Sequence, residues 1–158
     1  MADTSKTEEY NGTSWSTAND MTAHKRDGAA AGTQTAGLAI GGNPTSQRTV
    51  SHEYDGTNWS VSGTLTTARH QHAGWGSQTA AATTGNSSYA TSTETYNGTS
   101  WSAADASPEG KSYSQGCGQA TGGTDGLNHG GQKTNSSTYL TSTAKYASAV
   151  TARTVTDS

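Results

Sequence analysis

EYNGTSWS at Glu9–Ser16 returns as EYDGTNWS at Glu53–Ser60 and as TYNGTSWS at Thr95–Ser102. Tyr10 to Tyr54 is 44 residues, and Tyr54 to Tyr96 is 42. Self-similarity at a period of ~20–50 residues marks a repeat architecture, in which each unit buries its apolar face against its neighbours. The phrase itself reads as a hairpin. Asn11-Gly12, Asp55-Gly56 and Asn97-Gly98 suit the two positive-φ positions of a type I′ turn. A tyrosine precedes each dipeptide and a tryptophan follows it, so two short antiparallel strands joined by a tight turn are expected.

Composition pulls the other way. Leu, Val, Ile and Phe together supply 9 of the 158 residues, far below the ~20% that marks ordinary globular chains. The other half of the disorder signature is missing, because the net charge is only −3 and charged residues make up 13%. A Gly/Ser-rich linker has no reason to hold four Trp and seven Tyr, most of them in repeat register. Each buried aromatic removes ~150–250 Å² from water. Aromatics are expected to replace the missing aliphatic core.

The units align residue by residue. At an offset of 44, Met21 falls on Leu65, Gly32 on Gly76, Gln34 on Gln78 and Gly41 on Gly85. At 42, Arg69 falls on Lys111 and Trp75 on Cys117. The repeats are therefore 10–53, 54–95 and 96–145 in one domain, 1–158. The third is lengthened by the Gly-rich TGGTDGLNHGG at Thr121–Gly131 and regains register at Tyr146. No tryptophan follows Tyr146, so the last repeat is expected to stop with a terminal strand over 146–155. Each unit divides into four short strands: one from Trp59, a small-residue strand (Gly28–Gly32, His72–Gly76), Ala36–Ile40 up to Gly41-Gly42, and Arg48–Tyr54 after the loop NPTSQ. Four strands in about 44 residues is one propeller blade. The fold class is all-β, built of about three four-stranded propeller blades with split terminal strands.

The pattern resembles the kelch repeats: a basic residue ahead of a small-residue strand, a diglycine after the next strand, then Tyr and Trp. Lys25 or Arg26, Gly41-Gly42, Tyr54 and Trp59 carry it in the first unit; Arg69, Gly85, Tyr96 and Trp101 carry it in the second. Tyr10, Trp15 and Tyr146 are the matching positions at the two ends. Asn86 in place of the second glycine and the short Tyr–Trp link depart from the pattern. YNGTSW together with AGTQTAGLAIGG is similar to kelch-like repeats of marine bacteriophages. That resemblance implies a virion-surface or extracellular setting, and it implies no catalytic residue. Propellers host many unrelated functions.

Three units and a fragment do not close a ring of the usual four to eight blades, so assembly as a homo-oligomer or with other virion proteins is expected. Two chains would give six blades. The pI of about 5.9 and the lack of a basic run exclude the electrostatic footprint of nucleic-acid binding. No signal-like or membrane-length apolar run stands out. One cysteine, Cys117, allows no internal disulfide. Five glycosylation sequons occur, three of them within the hairpin phrase, where turn chemistry accounts for them.

Chemistry-bearing residues are few. His70 and His72 lie two apart on an expected strand, which would aim both rings to one face, but a metal site needs three or four ligands. Surface or interface histidines are the better reading, and no metal or cofactor is expected. Some kelch-fold relatives are copper oxidases with a Cys–Tyr link; Cys117 and Tyr113 stand too isolated to carry that over. Two functions are expected: a structural or adhesive virion component, or a carbohydrate- or protein-binding module with Trp75, Tyr89 and the histidines near its binding face.

Overall fold

The computed structural model describes residues 5–43, 49–118, 125–133, 139–147 and 150–155. Strands β1 (Thr7–Tyr10) and β2 (Trp15–Ala18) form a two-stranded hairpin. Blade 1 is β3 (Ala29–Thr33), β4 (Ala36–Ile40), β5 (Val50–Tyr54) and β6 (Trp59–Thr64). Blade 2 is β7 (Ala73–Gly76), β8 (Ala81–Thr84), β9 (Thr93–Tyr96) and β10 (Trp101–Ala104). Blade 3 is β11 (Gln115–Cys117), β12 (Asp125–His129), β13 (Thr143–Ala147) and β14 (Val150–Val155). Each blade is a four-stranded antiparallel meander in chain order, and no described residue is helical. The leading strands pack successively, β3 on β7 and β7 on β11. Glycine and alanine in these strands permit the approach: a Cβ on Gly116 would meet the Gly74 carbonyl at 2.5 Å.

The sequence repeat and the blade are out of phase. Each Tyr–Trp hairpin forms the outer half of one blade, as in the pairs Tyr54↔Trp59 and Tyr96↔Trp101. The hairpin β1–β2, with Tyr10↔Trp15, is such an outer half standing by itself. The rings in these pairs lie 5.2, 5.0 and 4.9 Å apart.

Two expectations are corrected here. The hairpin loops are not type I′ turns: four residues separate the strands, and only the glycines, Gly12, Gly56 and Gly98, have positive φ. The side chain before each glycine closes the loop instead. Asn11 Oδ1 accepts the Thr13 and Ser14 amides at 2.9 Å, Asp55 Oδ1 those of Thr57 and Asn58 at 2.8 and 2.7 Å, and Asn97 Oδ1 those of Thr99 and Ser100 at 3.0 and 2.9 Å. An Asx oxygen satisfies the loop amides without a second residue at φ > 0. Nor does the last repeat stop at the tyrosine strand. The span 146–155 is the end of β13 plus a separate outer strand, β14, which completes blade 3. Most of NPTSQ and the first part of the Gly-rich insertion lie outside the described residues.

The core sits between blades. Leu38 and Ile40 of blade 1 pack with Ala81, Tyr96 and Trp101 of blade 2, joined by Leu65 from the loop between them. Trp75 and Ala82 of blade 2 pack with Tyr146 of blade 3. Aromatic and small residues interlock with the few large aliphatics the chain has.

Candidate functional site

The repeated chemistry of this chain lies at the blade junctions and along one rim of the leading strands. It begins with a cation. Lys25, Arg69 and Lys111 occupy equivalent places ahead of β3, β7 and β11, and each reaches back to the loop after the second strand of its blade. Lys25 Nζ donates to the carbonyls of Gly41 and Val50 at 2.7 and 2.6 Å. Arg69 donates to the carbonyls of Gly85 and Ser92, both at 2.8 Å, and Lys111 Nζ to that of Ser142 at 2.8 Å. The basic residue of unit one is thus Lys25, not Arg26. Arg69 and Lys111 are fully buried. Burial pushes Lys25 down to about 8.

Among the described residues, only blade 2 adds a buried anion. Glu94 takes Arg69 Nε and Nη2 at 3.1 Å, and its other bonds come from the amides of Thr66 and Thr67 at 2.7 and 3.2 Å. Every charge is satisfied, as burial requires.

Two residues beyond each cation the backbone turns left-handed without glycine: Asp27, Gln71 and Tyr113 have φ of 55, 57 and 55°. Such φ values in ordinary residues cost free energy and persist only where surroundings fix them. Here a backbone ladder fixes them. Gln71 N donates to Asp27 O at 2.7 Å, and Tyr113 N to Gln71 O at 2.9 Å. A second rung joins the same blades, Gly42 N to Arg69 O at 2.9 Å and Asn86 N to Lys111 O at 3.3 Å. Two rungs at one junction recur at the next. The diglycine keeps the loop close: a Cβ on Gly42 would stand 2.9 Å from the Arg26 carbonyl. Asn86, the departure noted above, has no positive φ and instead accepts the amides of Ser88 and Ala90.

The outer halves of the blades repeat a side-chain contact. Tyr54 OH donates to Glu9 Oε1 and Tyr96 OH to Glu53 Oε1, each at 2.6 Å. Trp59 Nε1 donates to Thr7 Oγ1 at 2.9 Å and Trp101 Nε1 to Ser51 Oγ at 3.0 Å. The Glu9 contact pushes the Tyr54 phenol up to about 12. The glutamate is not kept further along: Thr95 in β9 and Lys145 in β13 stand at the place of Glu9 and Glu53.

The other sequence candidates fall apart as sites. Left-handed Gln71 lies between His70 and His72, so they do not share a strand face. His72 is buried, and burial followed by the Arg69 charge holds it down to about 3. His70 contacts Ser87 Oγ at 3.4 Å. Among the described residues no group of three His, Cys, Asp or Glu could hold a metal. Trp75 is not on a binding face; it is 2% exposed between blades 2 and 3. Tyr89 is half-buried with φ 58° in the loop after β8. Cys117 is exposed on β11. Sequence reasoning missed Tyr139, which lies outside the repeat pattern. It is 75% exposed, Tyr113 is 55% exposed, and with Gln132 and Gly131 they line an open groove of about 470 Å³.

No protein-family profile matches the chain, and no curated protein sequence does. Among solved structures, one described as "Structure of YjhT" superposes with a TM-score of 0.70 at 11% identity, over 90% of this chain. The match spans 49% of that chain, about half its length. Likeness at this identity speaks for the fold alone. The class is settled by it together with the sheets: an all-β protein of propeller blades, with the ring not closed within this chain.

Proposed function

We propose that this chain is a non-catalytic structural repeat module that acts as part of a larger assembly, on the exterior of a virus particle. The observation that carries the assembly is the two-rung junction ladder, which is satisfied between blades 1 and 2 and between 2 and 3 but has free halves at either end. Among the described residues, Lys25 O and Asp27 N at one end and Tyr113 O and Gly131 N at the other have no backbone partner. Exposed Tyr10 and Trp15 add apolar surface of the type buried at the inner junctions. The particle setting rests on the resemblance of YNGTSW and AGTQTAGLAIGG to phage repeats. Light scattering on the purified chain at micromolar concentration tests assembly, and a stable 16.1 kDa monomer defeats it. Neighbouring capsid or tail genes support the virion setting, and glycan-utilisation genes speak against it.

The Tyr113–Tyr139 groove favours a second reading, a carbohydrate-binding module. Exposed aromatic faces beside an amide side chain suit stacking and hydrogen bonding of a sugar ring. Calorimetric titration with soluble polysaccharides, repeated on Tyr139→Ala, decides it: binding that survives the substitution removes this groove.

A further inference from the structure

The hairpin β1–β2 and blade 1 leave a groove of about 400 Å³ between them. Thr7 and Glu9 form one wall; Ala30, Gly37 and Ala39 form the other. Among the described residues, the edge of β1 away from β2 has no strand partner. In blades 1 and 2 the corresponding edges of β5 and β9 pair with β4 and β8. The groove is where the two inner strands of a preceding blade belong.

We infer that a second copy of this chain fills it, by exchange: the partner's β11–β12 enters the groove, and β12 pairs with β1 in place of its own β13. The inference rests on the assembly reading above and names its interface.

Four observations carry it. First, the two strands are interchangeable in register. β12 pairs with β13 through Gly126↔Tyr146, Leu127↔Lys145 and His129↔Thr143, and TEEY of β1 aligns on TAKY of β13, tyrosine on tyrosine. Second, β1 suits the junction better. At two junctions the residue before the tyrosine is a glutamate that accepts from the phenol of the next blade, and between blades 2 and 3 it is the neutral Thr95. Glu9 already holds Tyr54, whereas β13 would offer Lys145, a donor facing a phenol that donates at the other contacts. Third, the free ladder ends are complementary. Tyr113 O accepts Asp27 N–H across the new junction, and Gly131 N–H donates to Lys25 O, repeating the inner pairs. Fourth, the faces match. Trp75 packs on Gly126 of the next blade, and Trp75 aligns with Cys117 as Gly126 aligns with Gly37. Cys117 and Leu127, both exposed in the single chain, thereby meet the Gly37 wall. Exchanging an identical strand role between copies is a low-cost route to a dimer, and applied reciprocally it closes a ring of six blades.

The native thiol supplies the test. A Cβ on Gly37 meets only ordinary contacts, 3.5 Å and beyond, so Gly37→Cys is tolerated. At low micromolar concentration with a short bismaleimide linker, which bridges the gap an indole fills at the Trp75–Gly126 junction, Gly37→Cys is expected to yield a covalent dimer through Cys117. Gly37→Cys/Cys117→Ser and the parent chain are expected to yield none. Trp15→Ala, at a residue 68% exposed in the single chain, should leave the dichroism spectrum unchanged and weaken dimerisation by at least about tenfold. Dimers in light scattering without the Gly37→Cys–Cys117 link overturn this interface and leave assembly standing. A monomer overturns both. Equal cross-linking by a cysteine placed at exposed Ser102 shows mere collision and also overturns the interface.

Discussion

Trp75 packs its indole directly onto Gly126 of the neighbouring blade, leaving no room there for a β-carbon. The two residues are 51 apart in a chain with almost no aliphatic side chains, and neither belongs to the YNGTSW phrase. The relationship reverses the ranking that the repeat suggests. A tryptophan outside the repeat is more buried than Trp59, which carries it.

Trp75→Ala should therefore cost ~3–5 kcal/mol of unfolding free energy, as for other buried tryptophans, and Trp101→Ala about the same. Trp59→Ala should cost less, since Trp59 stays partly exposed on the open side of blade 1. Gly126→Ala should destabilise as a steric change with no polar group lost. Urea titrations of the four variants give the order. Trp59 as the most sensitive position would contradict the packing of Trp75 on Gly126.

The Arg69–Glu94 pair is 0% and 2% exposed. Breaking it from one side leaves a buried charge, so Glu94→Gln should cost about 3–5 kcal/mol. The surface pair Lys133–Glu109, with Lys133 55% exposed, should lose ~0–1 kcal/mol on Lys133→Ala. Chemical denaturation separates a buried clamp from a solvated contact. Equal losses would show that Glu94 is not the anchor of blade 2.

Acid should weaken the fold before carboxylates titrate. His72 is neutral in the folded chain, held down to about 3, chiefly by burial and then by the charges of Arg69, His70 and Lys25. His52 is held down to about 4 by burial and Lys25. Both titrate near 6.5 when unfolded, so below that pH the unfolded chain binds protons the folded chain refuses. Stability is present above about 6.5 and falls as pH drops toward these folded values, by up to ~1.4 kcal/mol per pH unit per histidine. Unfolding curves at pH 7.5 and 5.0 should show the loss, and His72→Gln should reduce it. A flat profile for the parent chain would place His72 in contact with water.

The hairpin loops predict a selective tolerance. Asp55 does what Asn11 and Asn97 do in the other copies, and the amides of Asn58 and Thr57 hold its carboxyl below the ordinary range. Asp55→Asn should melt within a degree or two of the parent, whereas Asp55→Ala removes the acceptor for two amides and should melt clearly lower. Gly56→Ala should also melt lower, because φ there is +90°. Equal melting for all three would assign no role to the loop side chain.

The phrase at Tyr10, Tyr54 and Tyr96 determined by itself that this chain is a β-repeat protein. Its period sets the blade length, its alternating aromatics set the outer strands, and its Asx-Gly pairs set where the chain turns. These are local instructions, and local chemistry can be read along a chain. Other features arise only between segments that the fold brings together. The loop type depended on the register of Tyr with Trp across the hairpin, which placed four residues between the strands and gave the Asx oxygen its work. The burial of Trp75 depended on Gly126 arriving from the next blade. Arg69, His70 and His72 look alike as polar residues in a row. Glu94, Ser87 and the core make them a clamp, a half-buried contact and a buried neutral ring, because burial and charge pairing are properties of packing. Lys145 at the place of Glu9 was visible from the start. Only the hydrogen bond from Tyr54 to Glu9 gave that substitution a physical meaning.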